Sequence, residues 1–506
     1  MAAHHHQINN FPSSPIHERD PKNKLSHSRI LTLLLLLCYA AASVLRLSSS
    51  SPSTNPSSFG TSLQTIPQPT PPPEEAACSA LIDRGGWNRE EGLLCCDRSH
   101  HRTDVCYMRG DIRTAAKAAA SAGAPAIHLH GARPGSQAET IRPYTRKWEK
   151  EVMSTIDEIS LRPSEGPAAA AAEACEVRYG VPAIVFSTGG YTGNVYHEFN
   201  DGLIPLFITA ERFAGEVVLV VLEFHSWWFT KYRRVLEKMS RYEIVDFRKD
   251  RRVHCFSEVI VGLKIHGELA VDPKLIPNGK GIVDFQSLLY QAFGNNHSTP
   301  RRNAAASEQL PAISVESAAA ANRRPKMVIL VRNGSRRILN LRDVLLLCHR
   351  AGFDVELLNP KRSTELAEIH RTLAGADAMM AVHGAAVTHF LFMRPGSVLI
   401  QVVPLGLNWA AETYYGEPAR RLGLQYMAYN VTAPESSLWK EYGRRDPVLV
   451  DPPAITRRGW AETKRVYLDK QNVAVDLRRF GKLLMEAHAR VCRSQSRERD
   501  SAQGGD

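Results

Sequence analysis

The apolar and polar positions of the 506-residue chain fall into stretches of different character. Residues 30–45 (ILTLLLLLCYAAASVL) form an apolar-rich run without a charge, and residues 43–47 extend it if Arg46 snorkels to the interface. The run reads as a single membrane helix over 30–47. Residues 48–73 are dominated by Pro and Ser, a composition that stays extended and solvated. From residue 181 the pattern becomes regular. Residues 181–187 (VPAIVFS) and 216–223 (EVVLVVLE) read as buried strands, 196–210 starts as a helix, and 230–240 reads as a basic amphipathic helix. Residues 303–325, rich in Ala, Ser, Glu and Arg, have no sustained pattern and read as a linker. Beyond them, strands are expected at 327–332, 353–358, 377–383 and 397–403. Helices are expected at 341–351 and 363–374, and another opens at about Gly384. Asn340 stands where an N-cap is needed and Gly352 where the helix stops.

Strands alternating with helices predict parallel sheets covered on both faces. The expected fold is α/β, with two Rossmann-like domains facing a cleft, the GT-B architecture of nucleotide-sugar transferases. The expected order is a cytosolic tail (1–29), an anchor (30–47), a stem (48–77) and an N-terminal, acceptor-side domain with a Cys-rich cap (78–302). The linker (303–325), a C-terminal nucleotide-sugar domain (326–492) and a disordered tail (493–506) follow.

The flanks of the apolar run give its orientation. Arg19, Lys22, Lys24 and Arg29 precede it, whereas Arg46 is the only Lys or Arg between it and Arg84. The positive-inside rule then leaves the short tail in the cytosol and carries the body across the membrane. A cleaved signal peptide is the competing reading, but 29 residues before the run make a long n-region. Anchor, stem and catalytic-sized body together suggest a single-pass type II protein of the Golgi membrane, facing the lumen.

Composition narrows the classes further. With 43% hydrophobic and 23% charged residues, the chain is neither disordered, nor collagen-like, nor a multi-span membrane protein. A net charge of +11 attracts anions, whether nucleic acid, acidic polysaccharide or phosphorylated small molecules, and selects none of them. Eight of the nine cysteines follow the anchor. Cys78, Cys95, Cys96 and Cys106 cluster as in a disulfide framework of an oxidising lumen. A zinc site is the other reading, but the cluster lacks paired CxxC spacing. Sequons at Asn296, Asn333 and Asn430 are compatible with a lumenal body.

Two constellations could carry chemistry. Residues 377–389 (DAMMAVHGAAVTH) place His383, Gly384 and Ala385 where a strand passes into a helix, so that small residues and free N–H groups can meet a pyrophosphate. Arg332, Arg336 and Arg337 end or follow another strand, and arginine binds phosphate through two parallel bonds. In the N-terminal half, residues 189–201 (GGYTGNVYHEFND) put His197 and Asp201 one helical turn apart, a pair able to take a proton from a sugar hydroxyl. Glu198 points elsewhere and reads as structural. Trp227, Trp228 and Trp409, with Tyr414, could stack on sugar rings, although aromatic pairs also fill cores. No D-x-D triplet, GxSxG, HExxH, Walker A or GxGxxG sequence is present. Clamping of diphosphate by a D-x-D metal, hydrolase, zincin and P-loop chemistry, and dinucleotide binding therefore lack their usual signatures.

Four segments in order resemble glycosyltransferase family 61, and the plant xylan-decorating branch in particular. They are CSALIDRGGWNREEGLLCCDRSHHRTDVCYMRGDIR, GGYTGNVYHEFNDGLIPLFIT, HCFSEVIVGLKIHGELAVDP and MMAVHGAAVTHFLFMRPGSVLIQVVPLG, and the likeness covers roughly residues 78–492. The resemblance implies an inverting Golgi enzyme that moves arabinofuranose or xylose from a UDP-sugar onto xylan. It places Arg332, Arg336, His383, Gly384 and Ala385 on the donor side, and His197 and Asp201 on the catalytic face. His197 or Asp201 would be the base, with Glu268 or Asp272 as substitutes. No metal cofactor is expected, with Mn²⁺ as the alternative. The expected partners are the UDP-sugar, a xylan or xylo-oligosaccharide acceptor and the membrane, but not nucleic acid. Rival readings are a protein O-glycan N-acetylglucosaminyltransferase and a non-catalytic glycan-binding scaffold.

Overall fold

Val218–Leu222 (VLVVL) is apolar at every position, which suits a strand covered on both faces. The computed structural model describes Cys78 and residues 91–114, 125–165, 174–294 and 323–503, and builds two sheets from such segments. The expected cytosolic tail, anchor and stem (1–77), the Asn296 sequon and residues 303–322 of the linker lie outside the described residues.

The first sheet has ten strands: β1 (Leu93–Asp97), β2 (Val105–Thr114), β3 (Ala126–His130), β4 (Glu139–Ile141), β5 (Ile159–Ser164), β6 (Val177–Arg178), β7 (Ala183–Ser187), β8 (Val218–Leu222), β9 (Val245–Asp246) and β10 (His254–Val261). Their order is β4-β5-β3-β2-β10-β7-β8-β9, with β1 on β2 and β6 on β10. β10, β7, β8 and β9 run parallel, as alternation with helices requires. β2 is antiparallel to both β10 and β3, so this half is a mixed sheet and not the fully parallel one the sequence suggested.

The second sheet is wholly parallel: β11 (Lys326–Leu330), β12 (Asp354–Leu358), β13 (Ala378–Val382), β14 (Val398–Val403) and β15 (Gln425–Asn430), in the order β12-β11-β13-β14-β15. The chain steps outward from β11 to β12 and then returns past β11 to β13. The carboxyl ends of β11 and β13 therefore flank a topological switch point, where open α/β sheets bind ligands.

The described residues all belong to one compact unit. One apolar core joins both sheets, taking Ile184 and Leu219 from the first and Val328 and Met379 from the second. Phe199 bridges them, with its ring centroid 6.0 Å from Phe392 and 6.3 Å from Phe285. Gln286, on the Ile282–Phe293 helix, donates to the carbonyls of Leu391 (3.0 Å) and Met393 (2.7 Å).

Three local departures from the expected pattern bear on the site. The 196–210 helix is interrupted by a wide π turn over Glu198–Leu203. Pro205 has no N–H to give the Asp201 carbonyl, and the Thr145 hydroxyl donates to that carbonyl instead, at 2.9 Å. The basic helix begins at Ser226, a turn earlier than expected, and so includes both Trp227 and Trp228. Asn340 does not cap with its side chain; it exchanges two bonds with the Val475 backbone (2.9 and 3.0 Å). At the far end, the Leu477–Gln503 helix runs through the stretch expected to be a disordered tail.

Three disulfides lie among the described residues: Cys78–Cys95, Cys96–Cys106 and Cys175–Cys255. The first two use the four clustered cysteines, and Cys96 faces Cys106 directly across β1 and β2. Cys348 and Cys492 are free thiols. Asn333 and Asn430 are both exposed.

Candidate active site

Arg332 lies two residues beyond β11 and His383 follows β13 directly, so both stand at the switch point. Gly384 comes next with φ of +146°, a conformation suited to glycine. A Cβ there would lie 2.6 Å from Arg332 Nη1 and 3.1 Å from Arg336 Nη1. The missing side chain is the space the two guanidiniums occupy. Arg336 is itself left-handed (φ +59°), held because its N–H donates to Gln471 O at 2.6 Å and the next N–H, of Arg337, donates to Asn472 Oδ1 at 2.9 Å.

The arginines make only carbonyl contacts: Arg332 Nε donates to Ser335 O (3.2 Å) and Arg336 Nη1 to His383 O (3.3 Å). Among the described residues neither has a carboxylate within ion-pair distance, and Arg336 Nε is buried with no partner. Burial lowers both pKa values. For Arg336, burial and then the neighbouring Arg332 charge bring it to about 10. The Asp469 charge acts on Arg336 only at longer range, so two half-buried like charges without a direct ion pair are costly unless an anion completes them.

His383 is neutral. Burial, and after it the Arg336 and Arg332 charges, push it down to about 3. Its Nδ1 accepts from Gln401 Nε2 at 2.9 Å, and the Gln401 carbonyl accepts from Tyr426 OH at 2.7 Å. That chain fixes the amide orientation and leaves the imidazole proton on Nε2, a donor. Ala385 opens a 3₁₀ helix, Ala385–Phe392, where the sequence suggested an ordinary helix.

The second constellation centres on Asp201, whose side chain is 0% exposed. Its Oδ2 receives His197 Nδ1 (2.6 Å) and Arg146 Nε (2.8 Å); its Oδ1 receives Asn200 Nδ2 (2.7 Å) and pairs with Arg102 Nη2 (3.6 Å). Burial alone would raise this carboxyl, but the His197 bond and the Arg146 charge outweigh it and hold it below the usual carboxylate range. Asp201 is ionised, enclosed and fully engaged. His197 has its Nδ1 occupied, a side chain 15% exposed, and a face stacked on Tyr191 at 4.1 Å. Nε2 is the nitrogen left for an incoming hydroxyl.

Glu268 joins this group, accepting from Arg102 Nη1 at 2.9 Å and from the Tyr196 hydroxyl. Asn200 Oδ1 accepts the Leu269 N–H at 2.7 Å, tying the HGEL segment to the same turn. Tyrosines connect the two constellations. Tyr415 lies 5.4 Å from His383 and 5.9 Å from Tyr196, and Tyr196 lies 5.2 Å from His197.

The tryptophans separate. Trp228 is 2% exposed, within the core, and its Nε1 donates to Glu198, so it offers no face to a glycan; starting the helix at Ser226 turns it onto the buried side with Tyr232 and Val235. Trp227 is partly buried under the Arg362 guanidinium, 4.1 Å from the ring centroid. Trp409 is exposed. Glu198 is buried and also accepts from the Gly193 N–H (2.6 Å) and the Thr192 hydroxyl (3.3 Å), a structural hub as its position suggested. Burial raises its pKa to about 7.

Arg102, Arg146, Tyr196, Tyr415 and Gln401 escape the sequence reading. Only Gln401 carries a signal, a single polar residue inside the buried strand VLIQVV. Among the described residues no three His, Cys, Asp or Glu side chains converge as a metal-holding group.

The family described as Glycosyltransferase 61 matches residues 195–400. A xylan glycosyltransferase of Arabidopsis thaliana is 47% identical over 83% of this chain and 84% of its own length. A beta-1,2-xylosyltransferase of Oryza sativa subsp. japonica is 36% identical over 78% of this chain and 84% of its own. An alpha-1,3-arabinosyltransferase from the same rice is 35% identical over 78% and 64%, respectively.

Proposed function

The chain belongs to glycosyltransferase family 61, and from that premise we propose that it moves a pentose, arabinofuranose or xylose, from a UDP-sugar onto xylan with inversion. The observation that carries this reading is the pair of guanidiniums without a direct ion-pair partner among the described residues, beside neutral His383 at the switch point and linked by Tyr415 and Tyr196 to the His197–Asp201 pair. The relatives named for xylosyl and for arabinosyl transfer supply the substrate class.

In the proposed reaction His197 Nε2 takes the proton of the acceptor hydroxyl as its oxygen attacks C1 of the donor sugar. The bond from C1 to the diphosphate oxygen breaks on the opposite face, and UDP leaves with the electron pair. Asp201 does not abstract the proton; it orients His197 and stabilises the imidazolium that forms. Arg332, Arg336 and the His383 Nε2–H meet the charge that develops on the leaving diphosphate, and the N-terminal N–H groups at Ala385 face the same end of the sheet. We read this as metal-independent chemistry. The two sheets act as the halves of a GT-B-type cleft, and Trp409 is an acceptor contact. The body faces the Golgi lumen behind a type II anchor at 30–47, a setting that suits three disulfides.

The deciding experiment incubates the detergent-solubilised full chain with xylo-oligosaccharides and, in turn, UDP-xylose, UDP-arabinofuranose and UDP-N-acetylglucosamine. Acceptor-dependent UDP release with a pentose donor is the expected result. Release only with UDP-N-acetylglucosamine and a glycopeptide acceptor overturns the substrate, and no release with any donor overturns catalysis.

A further inference from the structure

Trp409 and Trp460 are 48% and 47% exposed, two of the largest apolar side chains left in water. Single exposed apolar residues need no explanation. These two touch, however, with ring centroids 6.4 Å apart at 75°. Ring contacts continue inward from the pair: Trp409 to Tyr414 at 5.7 Å, Tyr414 to Tyr196 at 5.5 Å, and Tyr196 to His197 at 5.2 Å. Exposure falls along the row, from the two tryptophans through half-buried Tyr414 to buried Tyr196. The row therefore starts in solvent and ends on the imidazole that would receive the acceptor's proton.

Its anchorage is firm at the inner end, where the Tyr196 hydroxyl donates to Glu268. Trp409 stands in the short Asn408–Ala411 helix, continuous with the turn that carries Tyr414, and Trp460 opens the Trp460–Thr463 helix. Rings held this way keep their faces without spending side-chain freedom on binding. The apolar C–H faces of sugar rings pack on aromatic faces while their hydroxyls stay hydrated. Platforms at steep angles to one another suit a chain whose successive sugars turn.

We propose that Trp460, with Trp409, forms an outlying subsite for a neutral glycan chain, holding acceptor sugars several units away from the one modified at His197. The enzyme thereby prefers long acceptors to short ones. This rests on the glycan-acceptor reading above and adds Trp460, which no sequence motif singled out.

The test compares the full chain with its Trp460→Ala and Trp460→Phe variants, using xylotriose and xylohexaose as acceptors and the best pentose donor. For Trp460→Ala, KM for xylohexaose should rise about tenfold, equivalent to ~1.4 kcal/mol. Its KM for xylotriose, its kcat and its thermal midpoint should stay put, and Trp460→Phe should fall between. Equal KM values in wild type and Trp460→Ala at both lengths overturn the subsite. A KM rise that is the same for both lengths, or a lower thermal midpoint, also overturns it, because Trp460 then supports the site or the fold. If the wild type turns over neither oligosaccharide, the acceptor reading itself has failed, which is a separate outcome.

Discussion

Arg332 Nη1 lies 2.6 Å from the point that a Cβ on Gly384 would occupy. With φ of +146° at that residue, two independent costs meet in one substitution. Gly384→Ala should lose about 1–3 kcal/mol of stability from the backbone alone, and should displace Arg332 as well. UDP affinity, measured by calorimetry, should drop by an order of magnitude or more. Unchanged affinity would mean that the guanidinium does not face the diphosphate.

Arg332→Ala separates binding from folding. Losing a charged partner to diphosphate costs about 1.5–3 kcal/mol of UDP affinity. Because Arg332 sits half-buried beside Arg336 with no carboxylate partner among the described residues, removing it should leave the thermal midpoint unchanged or raise it. A lowered midpoint with intact UDP affinity would make Arg332 a structural residue.

His197→Ala should lower kcat by about 10²–10⁴-fold with UDP affinity nearly kept. Asp201→Asn should lower it less in kcat yet cost more in stability, about 1.5–3 kcal/mol, because Arg146 and Arg102 lose a charged partner while keeping Glu149 and Glu268. The acid limb reports the same carboxylate. Its pKa is depressed in the folded state, so its contribution is present above the ordinary carboxylate range and is lost as pH falls through the folded value. Denaturant titrations below pH 4 should show a shallower loss in Asp201→Asn than in wild type.

Glu198 has the opposite sign. Burial raises its folded pKa to about 7 from an ordinary 4.5, so the folded chain holds the extra proton between those values. Stability should therefore fall as pH rises from about 4.5 to about 7 and level off above, by up to about 3 kcal/mol. Glu198→Gln should remove its own share of this difference between pH 5 and pH 8 and leave the share of Glu223, with a constant offset because its amide turns a donor toward Trp228 Nε1. Burial raises Glu223 to about 7 too, so the double variant with Glu223→Gln should level the slope, and a slope unchanged by Glu198→Gln would mean that Glu198 is not protonated in this window.

Activity should survive EDTA, since Arg332 and Arg336 stand where a metal would otherwise neutralise the diphosphate. Loss on chelation that Mn²⁺ restores would sink that reading.

The C-terminal sheet was legible in the sequence because β11, β13 and β14 are short, mostly apolar runs and because the edge strand β12 follows a helix with a recognisable glycine stop. The stretch 91–165 was not. β2 carries Arg109, Asp111 and Arg113 within its span, and its main partner β10 lies more than a hundred residues away, so no local pattern announces the antiparallel pairing. His197 and Asp201 were visible as an i, i+4 pair. Arg102 and Arg146, which reach Asp201 from distant loops, had no such spacing to betray them. Trp228 was expected ahead of the helix; inside it, one and two turns before Tyr232 and Val235, it falls on the buried face.

Tyr414 and Tyr415 are consecutive residues of one π turn, Glu412–Gly416. One faces the row of rings leading to Trp409, and the other faces His383. In the proposed reaction, a nucleotide that displaced the backbone of this turn at Tyr415 would displace Tyr414 with it. Donor and acceptor occupancy then form a single thermodynamic cycle: whatever factor UDP applies to glycan affinity, the glycan must apply to UDP.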